Sequence, residues 1–260
     1  MSEPYRPDYA GGMAKSGGSR GRPRRPSSGQ ARPKRDAAPR RTGTPPAAKK
    51  AKAATAPPPI EPMPAVFVLG AIPGATPGGW IDAWKERVPQ TELELRPIAV
   101  SNQRSALLGE GLDAAIVRLP IDRDQLSVIA LYDETAVVVT SVDSHLTAAE
   151  ELGLEDLAGE ILIVPQDDVL GLHVPGAIPA SFAAPEDTEQ AIATVAAGVG
   201  IVIVPMSLAR LHRRKDAAYR PLRGVPESSV ALAWPSERTT PAVEAFVGIV
   251  RGRTANSSRI

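Results

Sequence analysis

Between Met1 and Pro64 the only valine, isoleucine, leucine, phenylalanine or tryptophan is Ile60. Gly, Pro, Ser, Ala and Arg bury too little apolar area to offset the entropy of ordering a chain. Residues 1–64 are therefore expected to be a disordered basic tail rich in Pro, Gly, Ala and Arg, with any fold beginning near Ala65. Ala56-Pro57-Pro58-Pro59 reads as a stiff, extended spacer before it. About 195 residues remain, enough for a real core, ending in a flexible C-terminus at 254–260.

Charge divides at the same place. Residues 1–58 carry 14 Lys and Arg against Glu3, Asp8 and Asp36, a net +11, whereas the remainder has 16 bases and 26 acids, a net −10. A basic arm on an acidic body suggests non-specific nucleic-acid contact through the arm. Its candidate phosphate contacts are Arg20, Arg22, Arg24, Arg25, Lys34, Arg35, Arg40, Arg41, Lys49, Lys50 and Lys52. The absence of cysteine excludes disulfides, thiolate metal sites, Fe–S clusters and a Cys nucleophile. With three scattered histidines, neither a metal nor a cofactor is expected. No apolar run approaches the roughly 18 residues of a membrane helix. Arg24-Arg25 has no apolar h-region behind it, so a cytoplasmic protein is expected.

From Ala65 onward, short strands and helices alternate, which argues for α/β architecture with largely parallel sheets. Val66–Ile72 is a continuous apolar run, hence a buried strand. Trp80, Ile81, Trp84 and Val88 recur at helical spacing. Leu93 and Leu95 alternate with charged residues as a half-buried strand. Ser101 is placed to cap a helix running to Glu110, with Gly111 as its stop. Strands are expected at Ala114–Leu119, Leu126–Leu131 and Thr135–Thr140, then a helical stretch Leu146–Leu157 split at Gly153, and a strand Ile161–Val164. A helix capped by Asp187 or Thr188 runs to Ala197. Ile201–Val204, Tyr219–Leu222 and Ser229–Trp234 read as strands, with helices at Met206–Arg213 and Thr240–Arg251.

Several segments in this order resemble the effector-binding (substrate-binding) domain of LysR-type transcription regulators. They are Glu86-Arg87-Val88-Pro89, Ser101-Asn102-Gln103, Leu107-Leu108-Gly109-Glu110-Gly111-Leu112-Asp113-Ala114-Ala115-Ile116-Val117, Asp143-Ser144-His145-Leu146, Leu154-Glu155-Asp156-Leu157-Ala158-Gly159, Val195-Ala196-Ala197-Gly198-Val199-Gly200-Ile201-Val202-Ile203-Val204-Pro205 and Pro241-Ala242-Val243-Glu244-Ala245-Phe246. The likeness spans about 66–253. It implies a two-lobed domain of the periplasmic-binding-protein-like type 2, with lobe I at 65–140 and 226–253 and lobe II at 141–225. The chain would cross between lobes near Thr140 and near Pro226. These regulators begin with a winged helix-turn-helix and a linker helix, which need periodic apolar segments. Residues 1–64 offer none, so the likeness implies ligand sensing without base-specific DNA reading.

The likeness also implies an effector between the lobes. By position its contacts would be Thr76, Ser101 and Asn102 from lobe I, and Pro165, Gln166 and Thr188 from lobe II. Ser101 and Thr188 stand at expected helix N-termini, where free N–H groups and the dipole favour an anion; either is equally a plain helix cap. Arg118 ends a buried strand, where α/β folds place ligand contacts. Its fork suits an effector carboxylate, or a salt bridge to Asp122 or Asp133. The expected effector is accordingly a small anion. A homodimer is expected too, with the Trp80–Val88 helix of one copy against the Thr188–Ala197 helix of the other.

The Gly74…Gly78-Gly79 loop matches neither phosphate-binding glycine pattern. His145, His173 and His212 have no locatable triad partner. Glu150-Glu151 and Asp167-Asp168 read as solvated surface rather than a catalytic dyad. The expected function is therefore not enzymatic: an effector-sensing domain acting in transcriptional regulation. A solute-binding protein or an enzyme on the same fold are the alternatives.

Overall fold

The computed structural model describes residues 62–109 and 111–252. The expected tail contacts, the C-terminus at 254–260 and Glu110 lie outside the described residues.

Among the described residues, ten strands and five α-helices follow in the order β1 (Val66–Ala71), α1 (Gly78–Arg87), β2 (Glu92–Pro97), α2 (Gln103–Leu108), β3 (Ala114–Arg118), β4 (Leu126–Glu134), β5 (Ala136–Ser141), β6 (Ile161–Leu162), β7 (Ile178–Pro179), α3 (Thr188–Ala196), β8 (Val202–Pro205), α4 (Met206–Leu211), β9 (Ala217–Pro221), β10 (Ser228–Pro235) and α5 (Pro241–Val250). The apolar runs form the buried strands: all five residues of β3 are buried, as are all four of β8. Leu93 and Leu95 do fall in a strand, β2, at the edge of the sheet, with Leu93 half-buried against the core and Leu95 exposed.

Two larger sheets divide the strands. The first has the order β2-β1-β3-β10-β4 and the second β8-β5-β9. β1 pairs parallel with β2 and β3, while β10 is antiparallel to both β3 and β4. The second sheet is antiparallel throughout, so the expectation of largely parallel sheets holds only for β1, β2 and β3 and for the short pair β6 and β7. Hydrophobic runs do not distinguish parallel from antiparallel strands when both faces are covered.

Lobe I thus contains β1–β4, β10 and helices α1, α2 and α5; lobe II contains β5–β9 with α3 and α4. The first crossing falls at Thr135, between β4 and β5, rather than at Thr140, which lies inside β5. The return crossing lies between β9 and β10. The stretch Leu146–Leu157 forms two 3-10 turns, His145–Ala148 and Leu154–Leu157, separated around Gly153.

Each lobe has its own apolar centre. In lobe I, Phe67 of β1 stacks on Trp84 of α1 with ring centroids 4.8 Å apart, and Phe246 of α5 lies 5.3 Å from Phe67 and 5.9 Å from Trp84. The Trp84 indole N–H donates to the Thr91 carbonyl at 2.9 Å. Trp80 is half-buried against the same cluster. In lobe II, Val137 and Val139 of β5 pack with Ile192 and Val195 of α3 and with Val202 and Val204 of β8. Gly74, at φ +84°, lets the loop after β1 press on lobe II: a Cβ there would stand 2.5 Å from the Ser207 hydroxyl oxygen.

Candidate functional site

A cavity of about 800 Å³ lies between the lobes. Lobe I contributes Pro73 beyond β1, Ala99–Ser101 beyond β2, and Arg118–Pro120 at the end of β3. These are the C-terminal ends of the three mutually parallel strands, where open α/β sheets present their loops to ligands. Lobe II contributes Gln166–Val169, then Glu186, Asp187 and Glu189 around the start of α3, and Leu208, Leu211 and His212 from α4.

Of the residues expected at this site, Ser101, Arg118 and Gln166 line the cavity, whereas Thr76, Asn102 and Thr188 are not among its lining residues. Ser101 is exposed in a 3-10 turn, Val100–Asn102, and is not a helix cap; the helix after it is only six residues long. Thr76 is exposed in the loop before α1, and the Asn102 carbonyl accepts from the Ser105 hydroxyl. Thr188 is buried, and its hydroxyl donates to Asp167 at 2.9 Å. Asp187 is the cap of α3, accepting from the Gln190 N–H at 2.8 Å. Gln166 is tied to the Pro185 carbonyl through its backbone N–H.

Arg118 is only 2% exposed and pairs with neither Asp122 nor Asp133. Its Nη1 donates to Glu134 at 2.8 Å and to the Ser228 hydroxyl at 2.7 Å. Asp122 pairs with Arg104 instead, and Asp133 accepts from Ser229. The same Glu134 oxygen accepts from the Ser207 hydroxyl of α4 at 3.0 Å. Glu134 immediately precedes the first crossing, Ser228 opens β10 just after the second, and Ser207 belongs to lobe II. One buried ion pair therefore joins both connections and both lobes. Among the described residues the Arg118 Nε has no hydrogen-bond partner. Burial raises the pKa of the neighbouring Tyr132 phenol; Glu134 adds to the effect and Arg118 opposes it.

Gln103 was legible only as part of a motif. It is buried, and its side-chain amide brackets the Arg118 backbone, donating to the carbonyl at 2.8 Å and accepting from the N–H at 2.9 Å. It replaces a ladder partner at the strand end and fixes where Arg118 leaves β3.

Asp167, Asp168, Glu186, Asp187 and Glu189 line the cavity, together with Arg118, which is paired with Glu134, and His212, whose Nδ1 lies 3.8 Å from a Glu189 carboxylate oxygen.

Residues 67–255 match the family described as the LysR substrate binding domain. The chain belongs to that family. This LysR domain is 27% identical over 182 residues to the Hca operon transcriptional activator HcaR of Escherichia coli, covering 65% of this chain and 60% of that protein. It is 23% identical over 176 residues to the HTH-type transcriptional regulator AlsR of Bacillus subtilis, covering 64% and 58% respectively. The chain thus spans about three-fifths of the length of these relatives. The reduced OxyR regulatory domain from Pseudomonas aeruginosa superposes with a TM-score of 0.58 at 25% identity, over 72% of this chain and 94% of that one. The BenM effector binding domain with its effector benzoate gives 0.60 at 19% identity, over 72% and 90%, a likeness of fold. The LysR domain has the type 2 periplasmic-binding-protein-like architecture of these neighbours.

Proposed function

We propose that this LysR domain senses a small-molecule effector in the interlobe cavity and passes its occupancy on as a change in lobe geometry, within a cytoplasmic regulator of transcription. The observation that carries this reading is the cavity itself: it is large enough for a metabolite, and both its walls meet at the Arg118–Glu134–Ser207 cluster that spans the lobes. Among the described residues no helix is long and apolar enough to cross a membrane.

A thermal-shift screen of metabolites with the full chain tests the proposal. Ser101 offers the exposed hydroxyl on the lobe I wall. Ser101→Ala should weaken a hit that bonds it through a charged group by about 1.5–3 kcal/mol, roughly tenfold to a hundredfold. Binding that survives both Ser101→Ala and the cavity-filling Leu211→Trp would place the ligand elsewhere and sink the reading.

Two finer proposals accompany it. The domain forms a homodimer through α1 of one copy and α3 of the other, supported by the part of Trp80 that α1 leaves outside the lobe I core, Trp84 being wholly within it. The basic residues between Arg20 and Lys52 contact nucleic acid through phosphates. If about six of those charges engage duplex DNA, affinity should fall with salt at a log–log slope near −5. Gel shifts of random duplex should show retardation that disappears when the chain starts at Pro59; retention by the shortened chain would assign DNA contact to the body.

A further inference from the structure

Gly74 lies in the loop after β1 and faces α4 of the other lobe. A Cβ on it would stand 2.5 Å from the Ser207 hydroxyl oxygen, 2.9 Å from the Ser207 Cβ and 3.3 Å from a Leu208 methyl. Carbon atoms in contact ordinarily sit about 3.5–4.0 Å apart. The lobes are therefore as close here as a bare backbone allows.

Neither side of this contact yields easily. On lobe I the loop is a tight turn, with the Ala75 N–H donating to the Ile72 carbonyl at 3.2 Å, and Ala75 packs against the Phe67–Trp84 cluster. On lobe II, Leu208 and Ala209 follow Ser207 and are buried in the core with Ile192 and Val204. Close-packed surfaces of this kind move as bodies rather than deform.

The contact sits between the hinge and the cleft. Ser207 donates to Glu134, which ends β4, and the Met206 N–H donates to the Thr135 carbonyl at 3.0 Å, so the start of α4 is tied to the first crossing. On the other side Pro73 and Leu208, the chain neighbours of Gly74 and Ser207, line the cavity. From there α4 runs on to Leu211 and His212 in the cavity wall, beside Glu189 at the start of α3. A rigid contact in this position limits how far the cleft can shut.

We propose that Gly74 against Ser207 is the stop that sets the closure of the lobes over the cavity. The proposal rests on the effector-sensing reading above, because closure is what a ligand between the lobes would shift, but it is tested without a ligand.

Spin labels on Arg123→Cys and Ala183→Cys report the opening. The chain has no other cysteine, and these two exposed positions stand three residues from Pro120 and from Glu186, on opposite cavity walls. Electron paramagnetic resonance of the labelled full chain, diluted with unlabelled protein, gives their separation. Gly74→Ala should lengthen it by about 1–2 Å, and adding Ser207→Gly should restore it. Ser207→Leu, which leaves the Gly74 backbone untouched, should lengthen it too, while Ser207→Gly alone should not. A folded Gly74→Ala or Ser207→Leu chain whose separation is not lengthened overturns the proposal and leaves sensing in the cavity intact, which the metabolite screen decides separately. Lengthening in Gly74→Ala that Ser207→Gly fails to restore also overturns it, by tracing the change to backbone strain at φ +84°. So does lengthening by Ser207→Gly alone, which would assign the lobe angle to the hydroxyl bond with Glu134. Should Gly74→Ala not fold, Ser207→Leu and Ser207→Gly still decide it.

Discussion

Arg118→Ala should destabilise the domain by about 3–5 kcal/mol, because it leaves Glu134, 8% exposed, without its counter-charge. Glu134 would keep only the Ser207 hydroxyl among its present side-chain donors. Glu134→Ala should cost a similar amount by stranding the guanidinium. The combined change, Arg118→Met with Glu134→Leu, should cost far less than the sum, since a buried ion pair replaced by apolar groups of like volume is often close to neutral. Urea unfolding of the three variants measures this. A double variant whose loss equals the sum of the single losses would show that the two charges act independently, contrary to the geometry.

Trp84→Ala should be the costliest large-to-small change in lobe I, again about 3–5 kcal/mol. The indole is fully buried, stacked on Phe67 and next to Phe246, and it also satisfies the Thr91 carbonyl. Trp84→Phe keeps a ring in the cluster and loses chiefly the hydrogen bond, so its cost should be nearer 1–2 kcal/mol. Trp80→Ala, half-buried on the same helix, should cost less than Trp84→Ala. Equal losses at positions 80 and 84 by denaturant unfolding would contradict this assignment of the core.

The difference between these two sites reflects what the sequence displays. The apolar runs of β1, β3 and β8 and the spacing of Trp80, Trp84 and Val88 are local patterns, and they located their elements within a few residues. The partner of Arg118 is not a local pattern. Asp122 is near it in sequence and Asp133 lies in the next strand along the chain, but β4 runs on past Leu131 to Glu134 and carries that carboxylate to Arg118 beside the crossing. The crossing falls at Thr135 rather than Thr140 because β5 pairs with β8 and β9 in the second sheet. Asp167-Asp168 shows the converse: two adjacent acids read as solvated surface, and Asp167 is indeed exposed, yet the surface is the wall of a cavity. Only the meeting of lobe II loops with the ends of β1, β2 and β3 gives those acids a role. Ser101 lines the cavity, but it does not cap α2, since a 3-10 turn precedes that short helix.

The strand order β2-β1-β3-β10-β4 fixes a sequence of events during synthesis. When the ribosome has made everything up to Pro221, every strand of the lobe II sheet exists, and that sheet can close. Lobe I was begun first, yet β3 still has one bare edge and β4 has no neighbour at all, because both await β10. Domains generally assemble as units while the chain emerges, and long-range pairings form late because their loops are costly to close. The unit inserted in the middle is therefore completed before the one that encloses it. The arrival of β10 then joins β3 to β4 and seats Ser228 on Arg118 in a single step.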